Sequence, residues 1–413
     1  MEIEFAEAPA WAGVDTHKDT NTLALLDGAR RVMGTWQFPT GNAGYAQLAE
    51  RIGDTSVPVG IEGTGSYGAG LAEHLRCLGH DVYEMVRPKK EQHRRGKSDP
   101  IDAIAAAENL AAGKGLAPKE FEGREDDVRW LMAAREQIVR HAVAMANAVK
   151  AMLVKAPDDV RQAYAGMDTP ELMAALAASR SKDACRRSMR LLAKRWTRAQ
   201  EEADELEAEI ESLLKETRPA LIGAFGVGTI AAARLVVAAG SNPERMGSEA
   251  AFSMLCGTSP IPVSSGRKDR FRLNRGGDRQ ANRAIHEIVR ARMAREERTR
   301  SYIAKKLSEG KTKKEAIRCA CRYVSREVYK LMTGPQLPLP DPRELVEHRK
   351  ALGIRQKDVA SALGLTLNQI SCIEQGKTVE GDRLRAYDSF LASVEKLDQN
   401  GCVQSVESFN RQS

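Results

Sequence analysis

Four carboxylates stand where short elements begin or end. Asp15 closes the apolar run WAGVD, and Glu62 closes VPVGIE just ahead of Gly63 and Gly65. Asp99 and Asp102 lie three apart in KSDPIDA, at the start of an Ala-rich stretch with helical composition. Acids delivered in the order strand, strand, helix, helix would assemble a site of hard oxygen donors, which suits Mg²⁺ or Mn²⁺. A charge at a buried strand end needs a partner or a cation to offset its desolvation, and no basic residue adjoins Glu62 in the sequence. The helical pair also admits a purely structural role. Asp99 before Pro100 fits an N-cap with proline at the first helical position, and Asp102 then falls where a capping-box acid sits.

The elements that must position these acids follow a definite order. Residues 11–38 suggest three short strands with Gly28 in the last turn, then come a helix over 43–52, a strand over 57–62, a helix over 67–78 and the strand DVYEMV. A β-β-β-α-β-α-β order followed by the Asp99 helix is that of an RNase H-like sheet, where the ends of the first and fourth strands lie near the last helix. Asp15 in D-T-H-K, Glu62 in E-G-T-G and the pair in K-S-D-P-I-D-A resemble the DEDD motif of the Piv-like insertion-sequence recombinases, the IS-one-ten transposase family. The resemblance covers residues 11–333 and implies a RuvC-like α/β domain over 8–120, with Asp15, Glu62, Asp99 and Asp102 holding Mg²⁺ or Mn²⁺.

Composition bounds the alternatives. A chain of 413 residues exceeds one typical domain, so two or three cores are expected. Aromatic residues are only 5%, which argues against base stacking as the main mode of binding. The net charge is +7, and residues 264–300 alone hold twelve Lys/Arg against five Asp/Glu, a surplus as large as that of the whole chain. Seven scattered cysteines, of which only Cys319 and Cys321 come close together, fit reduced thiols better than a disulfide framework or a zinc knuckle. An acidic amino terminus and the lack of any long apolar run lead us to expect a cytoplasmic, nucleoid-associated protein without a membrane partner.

Beyond the first domain the chain becomes helical. Over 121–216, with breaks near Pro157 and at 168–170, Met189, Leu192, Trp196, Ala199, Ala203, Leu206, Ile210 and Leu213 recur at steps of three and four. Such a seam can pack within its own domain or pair subunits; in the resembled family a long helical insertion joins protomers, implying a dimer or tetramer. Between Arg87 and Lys97, six basic residues (Arg87, Lys89, Lys90, Arg94, Arg95, Lys97) are interrupted by Glu91 alone among acids, as a solvated loop or a phosphate-facing edge would be. Gly226-Val227-Gly228 precedes a helix and could hold a phosphate on backbone N–H groups or simply turn the chain.

The second informative stretch is PIPVSSGRKDRFRLNRGGDRQANR. Arg267, Lys268, Arg270, Arg272, Arg275, Arg279 and Arg283 could each meet a nucleic-acid phosphate. The stretch resembles the C-terminal transposase domain of the same family, here 217–333, in which the serine before glycine is the nucleophile. Ser265 is the matching position, with Ser264 beside it. A serine hydroxyl needs a nearby base or metal to attack, and the carboxylate cluster would supply the metal.

The proline-rich run over 334–343 suggests a linker, and residues 344–397 look like a Cro/repressor-type helix-turn-helix. Gln356, Val359, Ala360, Gly364, Ile370, Ser371, Glu374 and Gly376 fall where that module expects them. Thr366 would cap the second helix, and Gln356, Thr366, Asn368 and Gln369 are its candidate DNA contacts. The tail over 398–413 is polar. The expected whole is an RNase H-like α/β domain followed by mainly helical domains and an all-α helix-turn-helix. The resemblance implies a transposase that cuts and rejoins donor and target DNA, guided by a noncoding RNA. A metal-dependent junction nuclease using water, and a helix-turn-helix regulator with an inert catalytic region, are the competing functions.

Overall fold

The structure is a computed structural model that describes residues 8–85, 98–118, 120, 123–262, 271–272, 274, 276–377 and 380–399. The chain forms two compact units, one made of residues 1–121 with 239–277, the other of 122–238 with 278–413.

The first unit holds a five-stranded sheet built from β1 (Trp11–Thr16), β2 (Thr20–Leu26), β3 (Val32–Pro39), β4 (Val59–Glu62) and β5 (Val82–Met85), in the order β3-β2-β1-β4-β5. The first three strands form an antiparallel meander, while β4 and β5 run parallel to β1 after α1 (Asn42–Ile52) and α2 (Ala69–Cys77). This is the RNase H-like arrangement expected from the order of elements. Strand alternation divides β1 between two environments. Ala12 and Val14 join Leu23, Leu25, Val59, Ile61 and Val82 in a core closed by Leu48 and Ile52 of α1 and Leu71 and Leu75 of α2. Gly13 and Asp15 take the opposite face, which α3 (Asp99–Ala111) covers.

Glycine decides how closely α3 can lie. A Cβ on Gly13 would stand 2.3 Å from both Ala103 O and Ala107 N, and one on Gly60 would meet Met85 Sδ at 2.8 Å and Ala106 O at 3.3 Å. Alanines at 103, 106 and 107 complete the fit from the helix side, and all three are buried. The amino end of α3 is therefore drawn over the sheet, near the strand exits. Its N-cap is Ser98, not Asp99: the Ser98 carbonyl accepts the N–H groups of Ile101 and Asp102 and its side chain makes no capping bond. Asp99 and Pro100 thus occupy the first two helical positions.

The later segment of this unit contains a 3-10 turn (Pro243–Met246), α10 (Glu249–Leu255) and a two-stranded ladder of β6 (Ile261–Pro262) with β7 (Phe271–Arg272). Polar bonds tie it to the sheet domain. Asn242 donates to Pro118 O and accepts from Glu120 N, both at 3.1 Å, and Arg245 donates to Glu84 Oε2 at 2.8 Å and Ala117 O at 2.7 Å.

The second unit is helical. In it α4 (Arg124–Val154) and α7 (Ala184–Thr217) pack along one another, with α5 (Asp158–Ala163) and α6 (Thr169–Ala178) at one end of the pair. Met189, Ala199, Ala203, Ile210 and Leu213 are buried within the chain, so much of the three-four seam is consumed by packing inside the protomer. After α8 (Pro219–Ile222) and α9 (Thr229–Ala239), α11 (Arg279–Arg295), α12 (Glu297–Ser308) and α13 (Lys313–Thr333) form a bundle. Within it, buried Arg292 pairs bidentately with Glu327 at 2.6 and 2.9 Å. Thr312 and Glu315 make the capping box that opens α13.

Four further helices, α14 (Pro342–Ala351), α15 (Gln356–Leu363), α16 (Leu367–Glu374) and α17 (Gly381–Gln399), close around buried Tyr387. Gly364, at φ +62°, turns the chain between α15 and α16, and Thr366 with Gln369 forms the capping box of α16. Glu374 gathers the small core: it accepts from Arg349 at 2.8 and 3.1 Å, from Gln356 at 2.8 Å and from the Tyr387 hydroxyl at 2.7 Å. Burial pushes its carboxyl up, but those donors together outweigh burial and leave it below the ordinary glutamate range. These helices also dock on α8, where Gly381 N donates to Gly223 O at 2.6 Å and Leu339 rests against Gly223.

Two expectations follow. Gly13→Ala should lower the unfolding free energy by about 1–3 kcal/mol through overpacking, seen as a fall in thermal midpoint. Gly28→Ala, with open space around its Cβ, should leave the midpoint unchanged. Because the Glu374 carboxyl is depressed, its contribution is complete above its unfolded value and lost as pH falls through the folded one. Amide exchange protection over 342–396 should decline in that acid window in the wild type, and Glu374→Gln should be less protected at neutral pH and lack the decline.

Candidate active site

The strand exits set the floor of the site. In the parallel ladder Val14 stands opposite Ile61, so one residue further on Asp15 and Glu62 leave the sheet side by side. Thr16 Oγ1 donates to Glu62 O at 2.8 Å and ties the two exits together. The β1–β2 hairpin closes through His17 N to Thr20 O at 2.9 Å, and strand period places His17 on the side of Asp15. Its Nε2 lies 3.2 Å from Asp15 Oδ2 and 3.3 Å from Asp99 Oδ1. One donor atom from each of Asp15, His17 and Asp99 falls within 4.8 Å of the others. The set joins the end of a central strand, the turn after it and the first turn of α3.

Asp15 lies in a crowded field of burial and neighbouring charge. Burial raises its pKa, nearby His17 opposes the rise, and the charges of Glu62, Asp102 and Asp99 add to it. All three remaining acids of the DEDD set are thus close enough to act on Asp15. Asp15 Oδ2 is buried and has no hydrogen bond among the described residues, although His17 Nε2 is within ion-pair reach. The hydroxyl of Thr22, the cross-strand neighbour of Asp15, is likewise buried and unbonded among the described residues. A cation would satisfy the orphaned oxygen and reverse the mutual repulsion of the acids, and carboxylate donors suit a hard divalent ion. The residues fit such a group.

Other candidate residues are placed as follows. Ser264, Ser265, Arg267, Lys268, Arg270 and Arg275 lie outside the described residues, as do the basic residues from Arg87 to Lys97. The ladder of β6 and β7 flanks the segment that carries both serines. Arg272, Arg279 and Arg283 are exposed, and Arg283 pairs with Glu287 at 2.8 Å. Gln356 spends its amide on Glu374, Thr366 and Gln369 cap α16, and Asn368 is exposed. His17 lies outside the four expected acids, although its distance of two residues from Asp15 at a strand end is a period-two signal.

A family model for transposases of the IS110 DEDD class matches residues 12–156, a span that contains all four acids. A second, described as the transposase IS116/IS110/IS902 family, matches residues 220–304, which include Ser265 and the arginines around it. No curated protein matches the chain.

The raised Asp15 pKa sets the sign of a pH effect. Stability contributed by the neutral carboxyl is fully present below the unfolded value and is lost as pH rises through the folded one. In chelator, Asp15→Asn should therefore be as stable as the wild type in acid and more stable near neutrality, which thermal melts at several pH values will test.

Proposed function

Because the chain belongs to the IS110 family of DEDD transposases and is a DNA recombinase, we propose that it cuts and rejoins DNA by a phosphoserine route at a divalent-metal site. The observation that carries this proposal is the convergence of Asp15 and Asp99, under the charge of Glu62 and Asp102, around an unsatisfied buried carboxylate oxygen. Asp15, Glu62, Asp99 and Asp102 would hold Mg²⁺ or Mn²⁺, which when bound polarises the scissile phosphate and steadies the leaving oxygen. Asp15, fixed in β1, sets the inner limit of the site, and Asp99, more exposed, faces solvent at its rim.

Ser265 is the nucleophile in this scheme. Its oxygen bonds to phosphorus, the 3′ oxygen leaves and takes a proton, and the DNA 5′ end remains on the protein as a phosphodiester. Attack by a 3′ hydroxyl reverses the step and rejoins a strand, so no external energy source is needed. Support comes from the position of Ser265 inside the second family match. Arg267, Lys268, Arg270, Arg272, Arg275, Arg279 and Arg283 would hold phosphates of DNA, or of a noncoding guide RNA that selects donor and target. The four helices from α14 to α17 would add a helix-turn-helix contact, with α16 presenting Asn368 to a groove. Further copies of the chain would complete the assembly as a dimer or tetramer.

Denaturing gels on a labelled suicide substrate with Mg²⁺ test the route. Wild type should leave protein on the DNA, and Ser265→Ala should lose that adduct while retaining DNA binding. Asp15→Asn, Glu62→Gln and Asp102→Asn should each reduce cleavage by at least ~10²-fold, the order expected for loss of transition-state charge stabilisation. Free 5′ ends from an active Ser265→Ala would assign the reaction to water, as in a junction nuclease, and a phosphodiester mapped to Ser264 would move the nucleophile by one residue.

A further inference from the structure

His17 stands outside the DEDD set, yet its side chain touches two of its members. Its Nε2 is 3.2 Å from Asp15 Oδ2 and 3.3 Å from Asp99 Oδ1, so a single ring nitrogen faces two carboxylate oxygens from different elements. One N–H can be directed at only one of them, and Asp15 Oδ2 is left without a hydrogen bond among the described residues. Neighbouring ligand atoms around an octahedral ion with bonds of about 2.1 Å are about 3 Å apart, close to both separations. The three donor atoms also lie within one 4.8 Å group.

We propose that His17 Nε2 is a ligand of the same metal site, giving it a mixed nitrogen and oxygen donor set that favours Mn²⁺ over Mg²⁺. The proposal rests on the metal-site reading above and adds a residue and an ion preference to it. Mg²⁺ is strongly selective for oxygen and keeps its water shell, whereas Mn²⁺ accepts imidazole alongside carboxylates. His17 is suited to the task because it is anchored by a hairpin at its backbone while its side chain is about half exposed. An arriving ion would therefore find the ring at the rim of the site, with Asp15 beneath it.

Mn²⁺ titrated into the full-length protein gives a readout independent of turnover. Binding would be followed by continuous-wave electron paramagnetic resonance, and directly bound nitrogen by electron spin echo envelope modulation, for wild type, His17→Gln and Asp15→Asn. The expected result is a nitrogen coupling in the wild type that disappears in His17→Gln. Mn²⁺ affinity should fall on the order of 10-fold in that variant, as for loss of a contributor to a metal site, and Mg²⁺ affinity, measured by competition, should fall much less. Mn²⁺ that is bound, is lost in Asp15→Asn, and shows no nitrogen coupling or no response to His17→Gln would overturn the role of His17 and leave the carboxylate site standing. Tighter Mn²⁺ binding in His17→Gln would equally overturn it, marking the ring as a competitor for the ion. If the wild type binds Mn²⁺ no better than Asp15→Asn, both proposals fall.

Discussion

The architecture of the first unit depends on a helix lying almost backbone to backbone on two strands. Gly13 and Gly60 have no side chain to hold α3 away, and Ala103, Ala106 and Ala107 add little bulk of their own. Any larger residue at Gly13 collides with main-chain atoms, which cannot rotate aside as a side-chain tip can. The same spacing that packs the interior also fixes how far Asp99 stands from Asp15. Packing and chemistry are therefore set by one contact distance, and the glycines belong functionally with the acids they bring together.

Bringing four acids to one end of a sheet runs against folding, and the structure limits the cost locally. The amino end of α3 presents the positive end of its dipole near Asp99 and Asp102, and His17 tempers the burial of Asp15. Neither removes the repulsion, so Asp15 retains an elevated affinity for a proton. A cation bound there would compete with a proton for the same oxygen. The contrast with Glu374 is instructive: that carboxylate is also buried, but three donors surround it and it stays ionised as a fixed part of a small core.

Much of the sheet domain was legible in the sequence because its signals are local. The short apolar runs in WAGVD and NTLALLD, the break after Glu62 and the proline after Asp99 place elements within a residue or two of where they lie. The acids could be named because they sit at element boundaries, where a charge is otherwise hard to explain. The cap of α3 lies one residue before the expected Asp99, since Ser98 and Asp99 are both good capping types and only backbone dihedrals separate them. His17 carries no such signal, because a histidine in a polar turn resembles any other until its ring is seen between two carboxylates. The seam of α7 gave its periodicity but not its partner, as an apolar stripe carries no label for the surface that covers it.

The docking of Gly381 on Gly223 gives the carboxy-terminal helices a fixed bearing within their unit. Leu339 occupies the same junction, and Gln336 holds the preceding turn through Leu331 O and Gly334 O, so the connection behaves as an elbow with its joint closed. A swivelling head would let a duplex approach at many angles and would lose orientational entropy on each encounter. A closed elbow has already surrendered that freedom during folding. Whatever the carboxy-terminal helices hold would consequently meet the rest of the helical unit from one direction.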